Sequence, residues 1–305
     1  MSLPLNLVGT DKKTQDRIRL IWGKNEYMNQ DTNKRELFMV GNDPCWTDTK
    51  QISPNENSNW TINPENGIKI FVDHMLMEGL KCQEKIKYAW IYEPTAIIKP
   101  FIEHIKNSVE LYTNAYTKIF THNEELASLH ENIILVEPGF PSWIEEPQIH
   151  KKTKLVSMIT STKNFCEGHR QRIEWANKLR GKLDLFGRGH NPIAKKEEGL
   201  NDYMFSVSME NDDTEFCYTE KLIDCFLTGT IPIYWGCKGV TKHFDEDGII
   251  WLNDDFNIDN LSEDLYNTKL ESVKRNFETA MNINKGISEM LDFFVDNHIM
   301  KENKS

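Results

Sequence analysis

The sequence predicts an α/β protein in two halves, and three observations carry that prediction. Its 305 residues are about twice a typical single domain. Short apolar runs alternate with helical patterns along the whole chain. Between the halves, residues 137–153 (EPGFPSWIEEPQIHKKT) carry Pro138, Gly139, Pro141 and Pro147, the composition of an interdomain linker. The expected domains are residues 1–150 and 151–305, with the last helices available to pack back on the first.

In the first half, strands are expected at Leu3–Val8, Glu36–Val40, Ile68–Val72, Tyr88–Tyr92, Lys118–Thr121 and Ile133–Val136. Helices are expected over Ile97–Leu111, where Ile98, Phe101, Ile102 and Ile105 share a face, and over Asn123–His130. Residues 41–67 are rich in Asn, Asp, Pro and Thr and read as a long exposed loop, either a surface insertion or an acceptor-binding segment. Trp46 and Trp60 favour the second, because flat aromatic faces suit sugar rings. In the second half, strands are expected at Leu155–Thr160, Lys182–Phe186, Tyr203–Met209, Thr230–Trp235 and Gly248–Leu252, and helices at Gly168–Leu179 and Tyr218–Leu227. From Leu261 the pattern is helical, with Phe277, Met281, Ile287, Met290, Leu291 and Phe294 as candidate core residues and a fraying tail MKENKS.

With 39% hydrophobic and 27% charged residues the chain is a folded globular protein. A net charge of −11 disfavours nucleic acid and anionic membranes as partners. The cysteines at 45, 82, 166, 217, 225 and 237 show no C-x-x-C pair, which fits reduced thiols and a reducing compartment. No signal peptide and no run of 18 apolar residues is visible, so a cytoplasmic location, or a soluble catalytic domain separated from an anchor, is expected.

The segment Tyr203–Phe256 concentrates the chemistry. A strand ends in Glu210-Asn211, a polar loop follows, and Tyr218-Thr219-Glu220-Lys221 opens a helix with an apolar face of Leu222, Ile223, Phe226 and Leu227. Open α/β sheets bind ligands beyond the carboxyl ends of their strands, where helix N-termini attract phosphates. A carboxylate there can accept from two ribose hydroxyls, and a lysine supplies point charge to a phosphate. The plainer reading makes Glu220 and Lys221 the charged start of a surface helix. Gly187 and Gly189 give only G-x-G, short of a dinucleotide fingerprint.

This segment resembles the α1,3-fucosyltransferase family, whose strand ends in F-E-N and is followed by Y-x-T-E-K, a helix and a strand with x-P-I/V. Here the counterparts are Met209-Glu210-Asn211, Thr219-Glu220-Lys221 and Thr230-Ile231-Pro232-Ile233. The likeness covers roughly residues 155–260 and includes SMITSTKNFCEGHRQRIEWANKLRGKLDLFGRG, similar to the family's strand, arginine-bearing loop and helix, and next strand. By register to Leu183–Gly187, Arg172 matches the arginine that holds the donor diphosphate, with Arg170 as the alternative. Two departures stand out: the family tyrosine falls on Cys217, with Tyr218 one position later, and Met209 replaces an aromatic residue.

The resemblance implies a GT-B-like fold, two Rossmann-like domains facing a cleft, and transfer of L-fucose from GDP-fucose to a glycan hydroxyl with inversion. It further implies donor contacts at Arg170 or Arg172, Glu210, Asn211, Tyr218, Glu220 and Lys221, and no required metal. Asp212-Asp213 and Asp254-Asp255 are bare acidic pairs that fit solvated loops. His74, His122 and His190 read as ordinary hydrogen-bonding residues. The family's base is a Glu after an N-terminal strand, matched here by Glu93 in Tyr92-Glu93-Pro94, where the proline stops the strand. Asp73 is the next carboxylate at such a strand end. Alternatives are another nucleotide-sugar donor, or a noncatalytic carbohydrate-binding protein of the same descent.

Overall fold

A computed structural model of the protein describes residues 34–41, 52, 54, 56–63, 65–136, 141–214, 218–283 and 287–299. The expected strand Leu3–Val8, Trp46, Cys217 and the tail from Met300 lie outside the described residues. Two compact units emerge. Residues up to 93, 98–136 and 287–299 make the first, and residues 94–97 and 141–283 the second. The division falls near 137/138 rather than at 150/151, and the C-terminal helix belongs to the first unit.

In the first unit, β1 (Arg35–Val40), β2 (Trp60–Ile62), β3 (Ile68–Val72), β4 (Lys87–Ile91), β5 (Lys118–Thr121) and β6 (Ile133–Leu135) form one sheet. Its order is β2-β1-β3-β4-β5-β6, with every pair parallel. Every residue of β4, KYAWI, is buried, as a strand covered on both faces requires. Helices α1 (Leu76–Gly79), α2 (Thr95–Lys106), α3 (Val109–Ala115) and α4 (Glu124–Ala127) connect the strands. The single helix expected over Ile97–Leu111 is two, and α2 itself is kinked at Ile98 (φ −117°), two residues before Pro100. Ile98, Phe101, Ile102 and Ile105 are nonetheless the buried stripe.

One expectation for an aromatic residue is corrected here. Trp60 is not an exposed acceptor platform: it lies in β2, fully buried, its indole N–H donating to the Asp292 carboxylate at 2.7 Å. Its loop-like surroundings of Asn and Pro masked a three-residue strand, too short to show alternation. The C-terminal helix Ile287–Phe294 then completes this core. Phe294 stacks on Phe120 with centroids 3.9 Å apart and meets Trp90 edge-on at 4.9 Å.

In the second unit, β7 (Lys154–Ile159), β8 (Asp184–Phe186), β9 (Tyr203–Met209), β10 (Ile231–Trp235) and β11 (Ile250–Trp251) form a parallel sheet in the order β11-β10-β9-β7-β8. Its helices are α5 (Glu167–Lys178), α6 (Glu220–Leu227), α7 (Glu263–Thr268) and α8 (Leu270–Ile283). In α8 the inward stripe is Ser272, Val273, Asn276 and Ala280. That phase leaves Met281 exposed and Phe277 half-buried, against expectation.

In this sheet the chain steps from β7 outward to β8, then returns to the other side of β7 as β9. The crevice between the carboxyl ends of β7 and β9 is therefore a topological switch point, the place where such sheets bind ligands. The corresponding point of the first sheet lies between β1 and β3. Among the described residues no helix is long and apolar enough to cross a membrane.

Candidate functional site

At the switch point of the second sheet, polar side chains converge from three directions. Glu210, the residue after β9, is fully buried, which is tolerable only because its carboxylate is saturated with donors. Oε1 accepts from the Thr219 N–H at 2.8 Å and Oε2 from the Thr219 hydroxyl at 2.7 Å. Thr219 also caps α6, so strand end and helix start are fastened by one residue. Glu220 and Lys221 occupy the first turn of α6. The Lys221 ammonium lies 2.8 Å from the Thr219 hydroxyl, 3.3 Å from Glu220 and 3.5 Å from Glu210.

From α5 comes Arg172. Buried residues Gly168, His169, Arg172 and Ala176 mark the inward face of that helix, and the arginine Nη2 donates to the Asn211 side chain and to the Glu210 carbonyl, the latter at 3.3 Å. Its Nε–H is buried and finds no acceptor among the described residues. A buried guanidinium donor left open costs free energy that an incoming anion can recover. Arg170, two residues earlier, faces solvent and pairs with Glu167 at 2.6 Å. Helix phase thus separates the two arginines that sequence register left as alternatives.

Gly168 is required by contact rather than by φ. A Cβ there would collide with the carbonyl oxygens of Asn211 and Glu210, and its own N–H donates to Asn211 at 3.2 Å. The first turn of α5 can lie directly on the end of β9 only without a side chain at this position.

The site is electropositive where Arg172 enters. Burial lowers the His169 imidazole to about 4, and the charges of Arg172, Lys163 and Lys221 push the same way, so it is neutral at pH 7. Burial would raise the Glu220 carboxyl, yet Lys221 and Lys196 hold it down at about 2. Burial raises the Glu210 carboxyl against the pull of Lys221. Burial likewise opposes the Lys221 ammonium, but Glu220 and Glu210 raise it overall, so Lys221 stays charged.

Tyr218 is buried, edge-on to Phe244 and tilted against His243. Lys196 is a site neighbour that sequence reasoning missed. Its ammonium lies 2.6 Å from Asp224 and 3.5 Å from Glu220. It comes from a short 3-10 turn, Lys196–Gly199, with no pattern to single it out. His169 was missed too, although its place three residues before Arg172 on one helix face was a readable signal.

Glu93 stands in the first unit, two residues beyond β4 and half-buried. The carboxylate of Asp73, just past β3, accepts from the Tyr92 N–H at 2.8 Å and from the Glu93 N–H at 3.1 Å. His122 is buried beyond β5, and His74 is exposed and stacked on Phe101. Asp212 accepts from the Thr214 hydroxyl at 2.7 Å and, through its other oxygen, from the Ala96 N–H at 2.9 Å. Among the described residues no three His, Cys, Asp or Glu side chains gather as a metal-ligand set.

Comparison with known proteins bears on both units. Residues 149–279 match the model of the glycosyltransferase family 10 (fucosyltransferase) C-terminal region. The chain is 38% identical over 71 residues, 23% of its length, to an α-(1,3)-fucosyltransferase of Helicobacter pylori. It is 32% identical over 273 residues, 83% of its length, to a provisionally assigned fucosyltransferase of Acanthamoeba polyphaga mimivirus. It spans only 15% and 42% of these two curated relatives. Among solved structures, an α1,3-fucosyltransferase superposes with a TM-score of 0.51 at 13% identity, covering 92% of this chain and 94% of that one. An α1,3-fucosyltransferase with GDP gives 0.50 at 14% identity, covering 90% and 94%. These two likenesses are of fold.

Proposed function

We propose that the chain is a fucosyltransferase of glycosyltransferase family 10, whose C-terminal model residues 149–279 match, and that it moves L-fucose from GDP-fucose to a hydroxyl of a glycan acceptor, with inversion at the anomeric carbon. The observation that carries the donor side is the convergence of Arg172, Glu210, Asn211, Glu220 and Lys221 at the switch point, with the buried Arg172 Nε–H open. A structure of the same fold has been solved with GDP.

In this reading the diphosphate takes the Arg172 guanidinium and the Lys221 ammonium, and the ribose hydroxyls take Glu220. Leaving-group charge develops on the diphosphate as the sugar–oxygen bond breaks, so fixed cations there lower the barrier more than they tighten the ground state. Glu93 accepts the proton of the attacking hydroxyl while that oxygen bonds to an oxocarbenium-like anomeric carbon. No metal enters the scheme, because two protein cations already meet the departing phosphates.

Calorimetric titration with GDP tests the donor site. Arg172→Ala and Lys221→Ala should each weaken binding about tenfold or more, since a charged hydrogen bond contributes about 1.5–3 kcal/mol. If both variants bound within twofold of wild type, the site would lie elsewhere. Turnover of GDP-fucose should also survive EDTA. Complete loss, restored by manganese or magnesium, would point instead to a metal held near Asp212 and Asp213.

A further inference from the structure

The carboxyl edge of the first sheet holds a second acidic residue whose geometry differs from that of Glu93. Asp73 is the first residue after β3, beside the switch point of that sheet, and β3 runs next to β4 with Val72 opposite Trp90. Its backbone is left-handed, φ 49°, and among the described residues it is the non-glycine residue recorded there. L-residues adopt this conformation at a cost, which aspartate and asparagine bear better than most. The turn sends the side chain toward β4, where one oxygen takes the N–H groups of both Tyr92 and Glu93, the two residues that follow the strand. The carboxylate is buried in making these bonds. An unusual backbone angle and a buried carboxylate are both spent on fixing the path of two consecutive peptides.

We propose that Asp73 is a positioning residue, setting the backbone that carries Glu93; the inference rests on the reading of Glu93 as the base. A base must stand within hydrogen-bond reach of the proton it removes, and a displacement of about 1 Å can cost about 100-fold in rate. Asp73 replaces free rotation at the end of β4 with a two-point anchor.

Three variants and one double variant test this by GDP release from GDP-fucose, counted whether the fucosyl group goes to an added oligosaccharide or to water. Asp73→Gly accepts the left-handed turn without strain but removes the anchor. It should keep its melting temperature and its donor KM within twofold, while kcat falls about tenfold or more. Asp73→Asn, which retains both the turn and the acceptor oxygen, should recover kcat to within about threefold of wild type. Combined with Glu93→Gln, Asp73→Gly should add nothing further. Amide hydrogen exchange at Tyr92 and Glu93 should speed up in Asp73→Gly and return to normal in Asp73→Asn.

Wild-type kcat in Asp73→Gly, beside a large loss in Glu93→Gln, overturns the positioning role and leaves the base intact. Full turnover in Glu93→Gln removes the base and this inference with it. An additive loss in the double variant, an Asp73→Asn variant as impaired as the glycine, or unchanged exchange at the two amides each overturns the anchor.

Discussion

Asp73 also offers a measurement that needs no substrate. Burial, reinforced by the neighbouring charge of Glu93 and resisted by the two backbone N–H bonds, raises its carboxyl from 3.8 to about 7. A raised folded value means the protonated form favours the fold. That contribution is complete below about pH 4 and is lost as pH rises through about 7. Asparagine has the shape of protonated aspartate and no titration. Denaturant unfolding should therefore show Asp73→Asn nearly equal to wild type at pH 4 and more stable by about 4 kcal/mol at pH 8. A gain independent of pH would show that the carboxyl is not shifted. The position of Glu93 was legible, because an apolar run stopped by Pro94 marks a strand end. The bonds from its backbone and that of Tyr92 to Asp73 were not, since they join residues 20 and 19 positions apart through a turn no local pattern encodes. The different settings of Arg170, exposed beside Glu167, and Arg172, buried, follow from the phase of α5, which only the packed helix supplies.

At the scale of elements, the candidate donor site is a junction in which one helix rests on the end of a neighbouring strand. The contact at Gly168 makes a sharp prediction. In Gly168→Ala the added methyl meets two backbone carbonyls that cannot rotate aside, so α5 must shift as a body and carry Arg172 with it. GDP affinity should fall about tenfold or more and stability by about 1–3 kcal/mol, read by calorimetry and thermal unfolding. Unchanged GDP binding would mean that α5 does not position the arginine. The longer strands and the amphipathic faces of α2 and α6 were readable from periodicity, because burial on one or two faces writes itself into the order of residues. What escaped was short or set by packing: the three-residue β2, the break between α2 and α3, and the rotation of α8 that turns Met281 outward.

At the scale of the molecule, the described residues form two open parallel sheets of the GT-B class, each with its own core. The boundary proline and glycine cluster was visible in the sequence. The return of the chain to the first core was foreseen only as an option, because an amphipathic helix does not state which surface it will cover. Phe294, fully buried between Phe120 and Trp90, is the test. Phe294→Ala should destabilise the first unit by about 3–5 kcal/mol and separate two thermal transitions, leaving the second where it was. A single shared shift would mean that the units unfold as one.

That return path also sets an order of birth. Chains are made from the N-terminus, and domains fold as they become complete. The first unit is begun earlier, yet its core lacks Ile287, Leu291 and Phe294 until the second unit has been made. The second unit is an almost uninterrupted stretch and needs nothing that comes after it. The half begun later should therefore be finished first, with the proposed base's half waiting open on the ribosome for the helix that returns to it.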